Sequence, residues 1–556
     1  MQKTQSARFN IGFVLFCAAV TGIGGFLFGY DTAVINGANS LLQKHFLLDI
    51  EDDAFLIGLA TSSAIIGCIV GAMSAGFVSD RFGRRKVLFF CAVLYAMSGV
   101  LCAMSWDFPS FLGARIVNGI AIGVSSMICP VYIAEIAPPQ WRGRLGTLFQ
   151  LGIVMGIFIA LFSNSFIQSL GTAYWGADWG TTTGWRCMLL LEALPALFFL
   201  ALLFPIPESP RWLIQAGREA EARQTLDRIG GPAYADDEVA AVNEVLKQEE
   251  GSLSELFSKK YRLPLVIAVF IMFASQFSGI NVIMYYSTDI FMRESKPVDT
   301  FNHSIEKAAN AVDLAKGREK LDAAIQAVQS PALQSKLDAK QLGAVAGALQ
   351  AAKSTPSLEA LRAGAADARR LVAESTLGKS MAEISSAAGK TAFNCSALLG
   401  LINVLATFIA IMFVDKLGRK PLLLLGNLIQ VVGLAGVGIL FYTGTVTVGA
   451  LLGLVIVYLV AFSMAMGPIP WVLCSEIFPA KLRGRAMSVA TFSIWMGCFL
   501  IVQTSPALMR LSPAAAFFFY GACSLATFFF VLFVIPETKG KSLEEIEKSW
   551  HRRDEL

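Results

Sequence analysis

Asp80-Arg81-Phe82-Gly83-Arg84-Arg85 and Asp415-Lys416-Leu417-Gly418-Arg419-Lys420 are one six-residue signature written twice in the chain. Two more signatures recur in the same order. Glu135 followed seven residues on by Arg142-Gly143-Arg144 returns as Glu476 followed seven residues on by Arg483-Gly484-Arg485, and Pro207-Glu208-Ser209 returns as Pro536-Glu537-Thr538. Three polar motifs kept in order across two halves mark a parallel duplication. Duplicated halves related by an axis along the membrane normal are how one large class of secondary transporters builds a midplane site that opens to alternate sides.

The material between the signatures is apolar. Of 556 residues, 55% are hydrophobic and 15% charged, against about a quarter charged in soluble domains, so most of the chain belongs in lipid. At about 20 residues per crossing, spans are expected at 11–35, 55–78, 86–105, 111–133, 146–168, 185–205, 262–292, 392–413, 421–442, 448–474, 485–507 and 514–535. The apolar run from Ile11 continues through Gly22, Gly24 and Gly25 without a cleavage site and reads as the first span rather than a leader. The expected fold is all-α and polytopic, with twelve transmembrane helices in two six-helix halves.

Charge assigns sides. Arg81, Arg84, Arg85 and Lys86, then Arg142 and Arg144, Lys416, Arg419 and Lys420, and Lys481, Arg483 and Arg485 fill alternate connections; Asp49, Glu51, Asp52 and Asp53 lie in one of the others. The positive-inside rule then places both termini in the cytoplasm of a multi-pass cell-membrane protein. A net charge of +4, from 45 basic and 41 acidic residues, gives no nucleic-acid surface. The ten cysteines are scattered singly and only three histidines occur, so no metal, disulfide framework or cofactor is expected.

The segments expected are the N-terminal six-span half over 1–207, a cytoplasmic helical linker over 208–258 and the seventh span over 259–293. An extracytoplasmic helical insertion over 294–390, the remaining spans over 391–535 and a cytoplasmic tail over 536–556 complete the chain. In the insertion, Leu314, Leu321, Ile325 and Val328 fall at helical spacing, and Ser330-Pro331 and Thr355-Pro356 read as helix starts. Asn302-His303-Ser304 and Asn394-Cys395-Ser396 match the glycosylation pattern and are read as chance matches. No partner for the insertion is predicted.

Charges inside hydrocarbon are costly, and Asp31 in the first span, Arg115 in the fourth and Glu192 in the sixth are functional candidates for that reason. A carboxylate paired with Arg115 stays ionised; a conformational change that breaks the pair leaves it favouring the protonated form, which converts a packing change into proton uptake. A permanent structural ion pair is the competing reading. No acid or base shares a loop with a nucleophile motif, so an enzyme is not expected.

Gln150, Gln276, Asn281 and Asn403 place amides within spans, as a neutral polyhydroxylated ligand requires, since each amide both donates and accepts. Interhelical bonding is the alternative role for such amides. Breaks at Gly279-Ile280-Asn281 and at Gly467-Pro468-Ile469-Pro470-Trp471 mark where the site would lie. The acids and arginines of the basic signatures, Asp80 with Arg81, Glu135 with Arg142, Glu208, and Glu476 with Arg483, are expected to bridge the two halves and to release when the inner face opens.

Taken together DRFGRR (80–85), PESPRW (207–212), GINVIMYY (279–286), VDKLGRKP (414–421), GPIPWV (467–472), SEIFP (475–479), both RGR triplets and PETKG (536–540) resemble the sugar porter family of the major facilitator superfamily, in particular bacterial xylose and arabinose proton symporters and animal glucose facilitators. The resemblance covers nearly everything outside 294–390. It implies the major facilitator fold, Asp31 as the protonating carboxylate with Arg115 and Glu192 as partners, sugar contacts at Gln150, Gln276, Asn281, Asn403 and Trp471, and Tyr286 in an outer gate. Ser275 and Ile494 stand where relatives carry further glutamines. The expected function is monosaccharide–proton symport, hexose or pentose, by a monomer in the bilayer. Facilitated uniport and a non-transporting sugar sensor are the alternatives.

Overall fold

A computed structural model describes residues 9–48, 53–138, 141–176, 179–247, 253–292, 296–373, 375–478 and 480–538. Among these, twelve helices are long and apolar enough to cross a membrane: Ile11–His45, Ala54–Phe82, Arg84–Ala103, Phe108–Ile136, Leu145–Trp175 and Gly180–Leu202, then Lys259–Phe291, Thr376–Ala410, Arg419–Thr443, Val448–Cys474, Gly484–Leu511 and Pro513–Phe533. Helices satisfy every backbone donor within the segment, which lipid demands. Each expected span overlaps one of them.

The repeated signatures explain themselves at the basic face. Gly83 and Gly418 adopt φ of +95° and +94°, a left-handed turn that only glycine takes without strain, and each ends one span and starts the next. Glu208 then accepts from the amides of Arg84 (2.9 Å) and Arg85 (3.0 Å), while Glu537 accepts from those of Arg419 (3.1 Å) and Lys420 (3.0 Å). A carboxylate at a helix N-terminus satisfies orphan donors and complements the helix dipole. The glutamates of the Pro-Glu-Ser and Pro-Glu-Thr motifs are thus caps for the third and ninth spans.

Four helices, Pro210–Gln215, Glu219–Gly230, Pro232–Lys247 and Leu253–Leu256, form the linker between the halves. Ala222, Leu226 and Ile229 are buried, and Ile229 accepts from the Asn10 amide (2.8 Å), so the linker docks beneath the first span.

The insertion has a core of its own, built on Val298, Phe301, Leu321, Leu349 and Leu361. Its helices are Lys296–Ala309, Leu314–Val328, Pro331–Gln334, Ala339–Lys353 and Leu358–Ala373. Ser330 does precede a helix at Pro331, but the helix after Thr355-Pro356 begins at Leu358, where the Ser357 hydroxyl accepts from the Ala360 amide (3.2 Å). The boundary expected at 390 falls inside one unbroken helix, Thr376–Leu417, which carries the eighth span. Lys307 pairs with Asp53 (3.3 Å) and so ties the insertion to the N-terminal half.

Candidate functional site

Asp31, Arg115 and Glu192 come together in the interior of the N-terminal half, each no more than 2% exposed. The fourth span is started by a reciprocal cap in which Asp107 accepts from the Ser110 amide (2.8 Å) and the Ser110 hydroxyl accepts from the Asp107 amide (3.2 Å). The bonds from Ser110 hold the exposed Asp107 carboxyl below its ordinary titration range. That start fixes the register that turns Arg115 inward. Its Nη1 donates to Asp31 Oδ1, closing an ion pair between the first and fourth spans.

Glu192 enters at a discontinuity. The sixth span is a single π-helical turn, Gly180–Gly184, followed by the helices Trp185–Leu190 and Ala193–Leu202, with Glu192 at the joint. A residue not expected from the sequence completes the cluster: Asn118, fully buried on the fourth span, donates through Nδ2 to Asp31 Oδ1 (2.6 Å) and to Glu192 Oε1 (3.3 Å) and Oε2 (3.2 Å). Asn118 lies three residues beyond Arg115, one turn along the same helical face, and that spacing was the available signal. Two carboxyls therefore surround one guanidinium.

The seventh span breaks after Phe277, at a left-handed Gly279 with φ +92°, and resumes at Ile280. The break brings Asn281 back onto Gln276: Asn281 Nδ2 donates to Gln276 Oε1 (2.8 Å), and Gln276 Nε2 donates to the Ser275 hydroxyl (2.8 Å). Ser275 thus orients Gln276. The tenth span breaks between Met464 and Ile469, and its Ser463 donates to Asn403 Oδ1 of the eighth span (2.7 Å). Trp471, just beyond the tenth-span break, is 37% exposed. Gln150 is half-buried on the fifth span, in the opposite half. Trp495 packs across the two halves against Phe28, ring centroids 5.4 Å apart.

The halves meet at the face that bears the insertion. Asn36 donates to the Met284 carbonyl (2.7 Å) and the Ser287 hydroxyl (2.7 Å) and accepts from the Thr288 amide (2.9 Å). Ser62 donates to Gln503 Oε1 (2.6 Å), Gln503 Nε2 donates to the Phe55 carbonyl (2.9 Å), and Ser165 donates to Asn394 Oδ1 (2.8 Å). Tyr286 is buried in the same region, its hydroxyl donating to the Val502 carbonyl (3.1 Å).

At the basic face the described charge pairs stay within one half. Arg84, not Arg81, is the buried arginine: it donates to Glu135 (3.0 and 3.1 Å) and Asp80 (3.1 Å), while Arg81 is exposed. The C-terminal half repeats the arrangement with Arg419 on Glu476 (2.8 Å). Ser209 and Thr538 each donate to the matching glutamate (2.6 Å). The glycine turn aims the fifth residue of the signature back along its own half. The side chains of Arg142 and Arg483 lie outside the described residues. Among the described residues no three of His, Cys, Asp and Glu gather as metal ligands.

Two pseudo-repeated six-span halves, joined at one face and carrying a buried charge cluster and interrupted helices, define a secondary transporter of the major facilitator fold. The family model described as Sugar (and other) transporter matches residues 17–296 and 382–550, leaving out nearly all of the insertion. The arabinose-proton symporter of Bacillus subtilis (strain 168) is 33% identical over 543 residues, covering 97% of this chain and 96% of that protein. The D-xylose-proton symporter of Escherichia coli (strain K12) is 31% identical over 575 residues, with 98% and 97% covered. An inward open conformation of the xylose transporter XylE from E. coli superposes with a TM-score of 0.71 at 30% identity, over 97% of this chain and 100% of that one. The chain belongs to the sugar transporter family.

Proposed function

We propose that the protein is a monosaccharide–proton symporter of the cell membrane, monomeric, with both termini in the cytoplasm. The observation that carries the reading is the charge count of the buried cluster. Asp31 and Glu192 around Arg115 leave one negative charge in excess, and in a medium that cannot solvate it the balance is restored by one proton. Such a cluster beside an amide-lined path couples sugar to proton when the path opens to alternate sides.

The positive-inside rule favours the cytoplasm for the basic signatures; on that reading the closed insertion face is the outer one and the conformation is inward-facing. In that state the outer hydrogen bonds from Asn36, Ser62 and Ser165 are made. The intra-half pairs of Arg84 and Arg419 keep each basic-face signature rigid while the halves rock.

The test is sugar-induced alkalinisation of an unbuffered suspension of cells expressing the protein, over a panel of hexoses and pentoses. The expected result is a proton influx for the transported sugar only, abolished by a protonophore. Sugar entry without proton movement would establish uniport instead, and binding without counterflow of labelled sugar would establish a sensor.

Gln276→Ala checks the binding path. Losing an oriented amide removes one or two hydrogen bonds to ligand, each worth about 1 kcal/mol, so the Kd for sugar rises about tenfold or more in purified protein. An unchanged Kd would assign Gln276 a purely interhelical role.

A further inference from the structure

We propose that Asn118 is a positioning residue for proton exchange, its amide holding Asp31 and Glu192 as one hydrogen-bonded unit around Arg115. The inference rests on the symport reading above and deepens it. One Nδ2 group serves both carboxyls, at 2.6 Å to Asp31 and 3.2 and 3.3 Å to Glu192. No other described hydrogen bond joins Asp31 to Glu192 through a single side chain, so the amide is what makes two acids into one site.

The other end of the amide matters equally. Asn118 Oδ1 is buried and has no hydrogen-bond partner among the described residues. A buried, unpartnered carbonyl costs free energy, and it has a use here. An ionised carboxylate needs donors, which Nδ2 supplies; a protonated carboxyl needs an acceptor for its O–H. An amide turned over about its last torsion offers either, and no apolar side chain offers both.

The step balances simply. When the pair with Arg115 opens to solvent, a hydronium ion gives its proton to an Asp31 oxygen and leaves as water. The new O–H donates to Asn118 Oδ1, and Arg115 keeps Glu192 as its counter-ion. The reverse sequence releases the proton on the other side. Other titratable groups within electrostatic reach of the cluster are Cys68 on the second span, Cys102 and Tyr95 on the third, Tyr30 on the first and Tyr285 on the seventh. Thiols and phenols do not titrate between pH 5 and 8 when buried, so the pH response in that window belongs to the two carboxyls.

The experiment compares wild type with Asn118→Leu, which fills the position with a somewhat larger apolar side chain of the same branching, and Asn118→Ala, which leaves it partly empty. Energy-independent counterflow and sugar affinity report folding and binding; the pH profile of sugar-coupled proton uptake reports the site. Nδ2 gives three hydrogen bonds to the ionised cluster while Oδ1 takes one from the protonated form, so losing the whole amide favours the protonated form on balance, and the midpoint of coupled uptake is expected to move to higher pH by about one unit in both variants. Counterflow at low pH, where the cluster is protonated in wild type and variants alike, reports whether each variant still folds and exchanges sugar. The same alkaline shift in two variants of opposite steric effect supports the proposal. Profiles that superimpose on a coupled wild type, with or without a loss of thermal stability, reduce Asn118 to a packing residue and overturn it. A wild type that moves sugar without protons overturns the symport reading itself, and with it this inference.

Discussion

Asp31→Asn is expected to abolish accumulation of sugar against its gradient while leaving counterflow intact. One proton entering down 100 mV performs about 2.3 kcal/mol of work, which sustains about a fiftyfold sugar gradient. Without the titrating acid that work is no longer coupled, and the steady-state ratio falls to about one. The fold should survive, because the Glu192 carboxylate remains close enough to Arg115 to act as its counter-ion. Arg115→Ala makes the contrast: it strands two buried carboxyls without a cation, and removing one partner of a buried pair costs about 3–5 kcal/mol. Uptake of a non-metabolised sugar, with and without a protonophore, measures the first effect, and thermal unfolding in detergent the second. Protonophore-sensitive accumulation by Asp31→Asn would move the coupling site elsewhere.

Much of this site was legible before any coordinates. Asp31, Arg115 and Glu192 announced themselves because hydrocarbon has no other place for a charge, and the repeated signatures announced the two halves because their turns require the same glycine. Asn118 was missed because an amide in a span is unremarkable in isolation. Only its register beside Arg115 gives it meaning. Arg84 was passed over for Arg81 because both belong to one motif, and which of them faces inward depends on the turn at Gly83. The bridges expected between halves at the basic face are a matter of conformation, since they are expected to be released while that face is open. Sequence records which charges exist, and the rigid-body position of one half against the other decides whom they meet. The contacts of Asn36, Ser62 and Gln503 at the insertion-bearing face are invisible in the sequence on the same ground: polar residues toward span ends gain a role only when the opposite half arrives. The joint at Glu192 and the π turn before it leave no periodicity signal, since both interrupt a helix without interrupting its apolar run.

Gly58→Trp is expected to stop transport by preventing the outer face from closing. Gly58 lies near the start of the second span, at the face that bears the insertion, and a Cβ placed there would come within 3.0 Å of Gln503 Nε2 on the eleventh span and nearer still to the Gln503 carbonyl oxygen. The side-chain amide can swing away; the backbone carbonyl can retreat only if the eleventh span moves with it. Overpacking by a methylene or two costs about 1–3 kcal/mol, and an indole ring adds far more volume than that. The conformers of a transport cycle are separated by only a few kcal/mol, so the penalty falls on the inward-facing state alone and shifts the population outward. Counterflow should drop below about one-hundredth of wild type, with sugar still binding from outside. Gly58→Ala, meeting the same carbonyl with one methyl group, should give an intermediate rate. Ser62→Cys supplies an independent reading: Ser62 is buried against Gln503 when the face is closed. Its thiol should therefore be modified by an impermeant reagent added outside in the Gly58→Trp background and protected without it. Wild-type counterflow in Gly58→Trp, or protection of that thiol, would mean that the contact between Gly58 and Gln503 is not part of the outer closure. The rocking axis would then have to be sought at Asn36 and Ser287 instead.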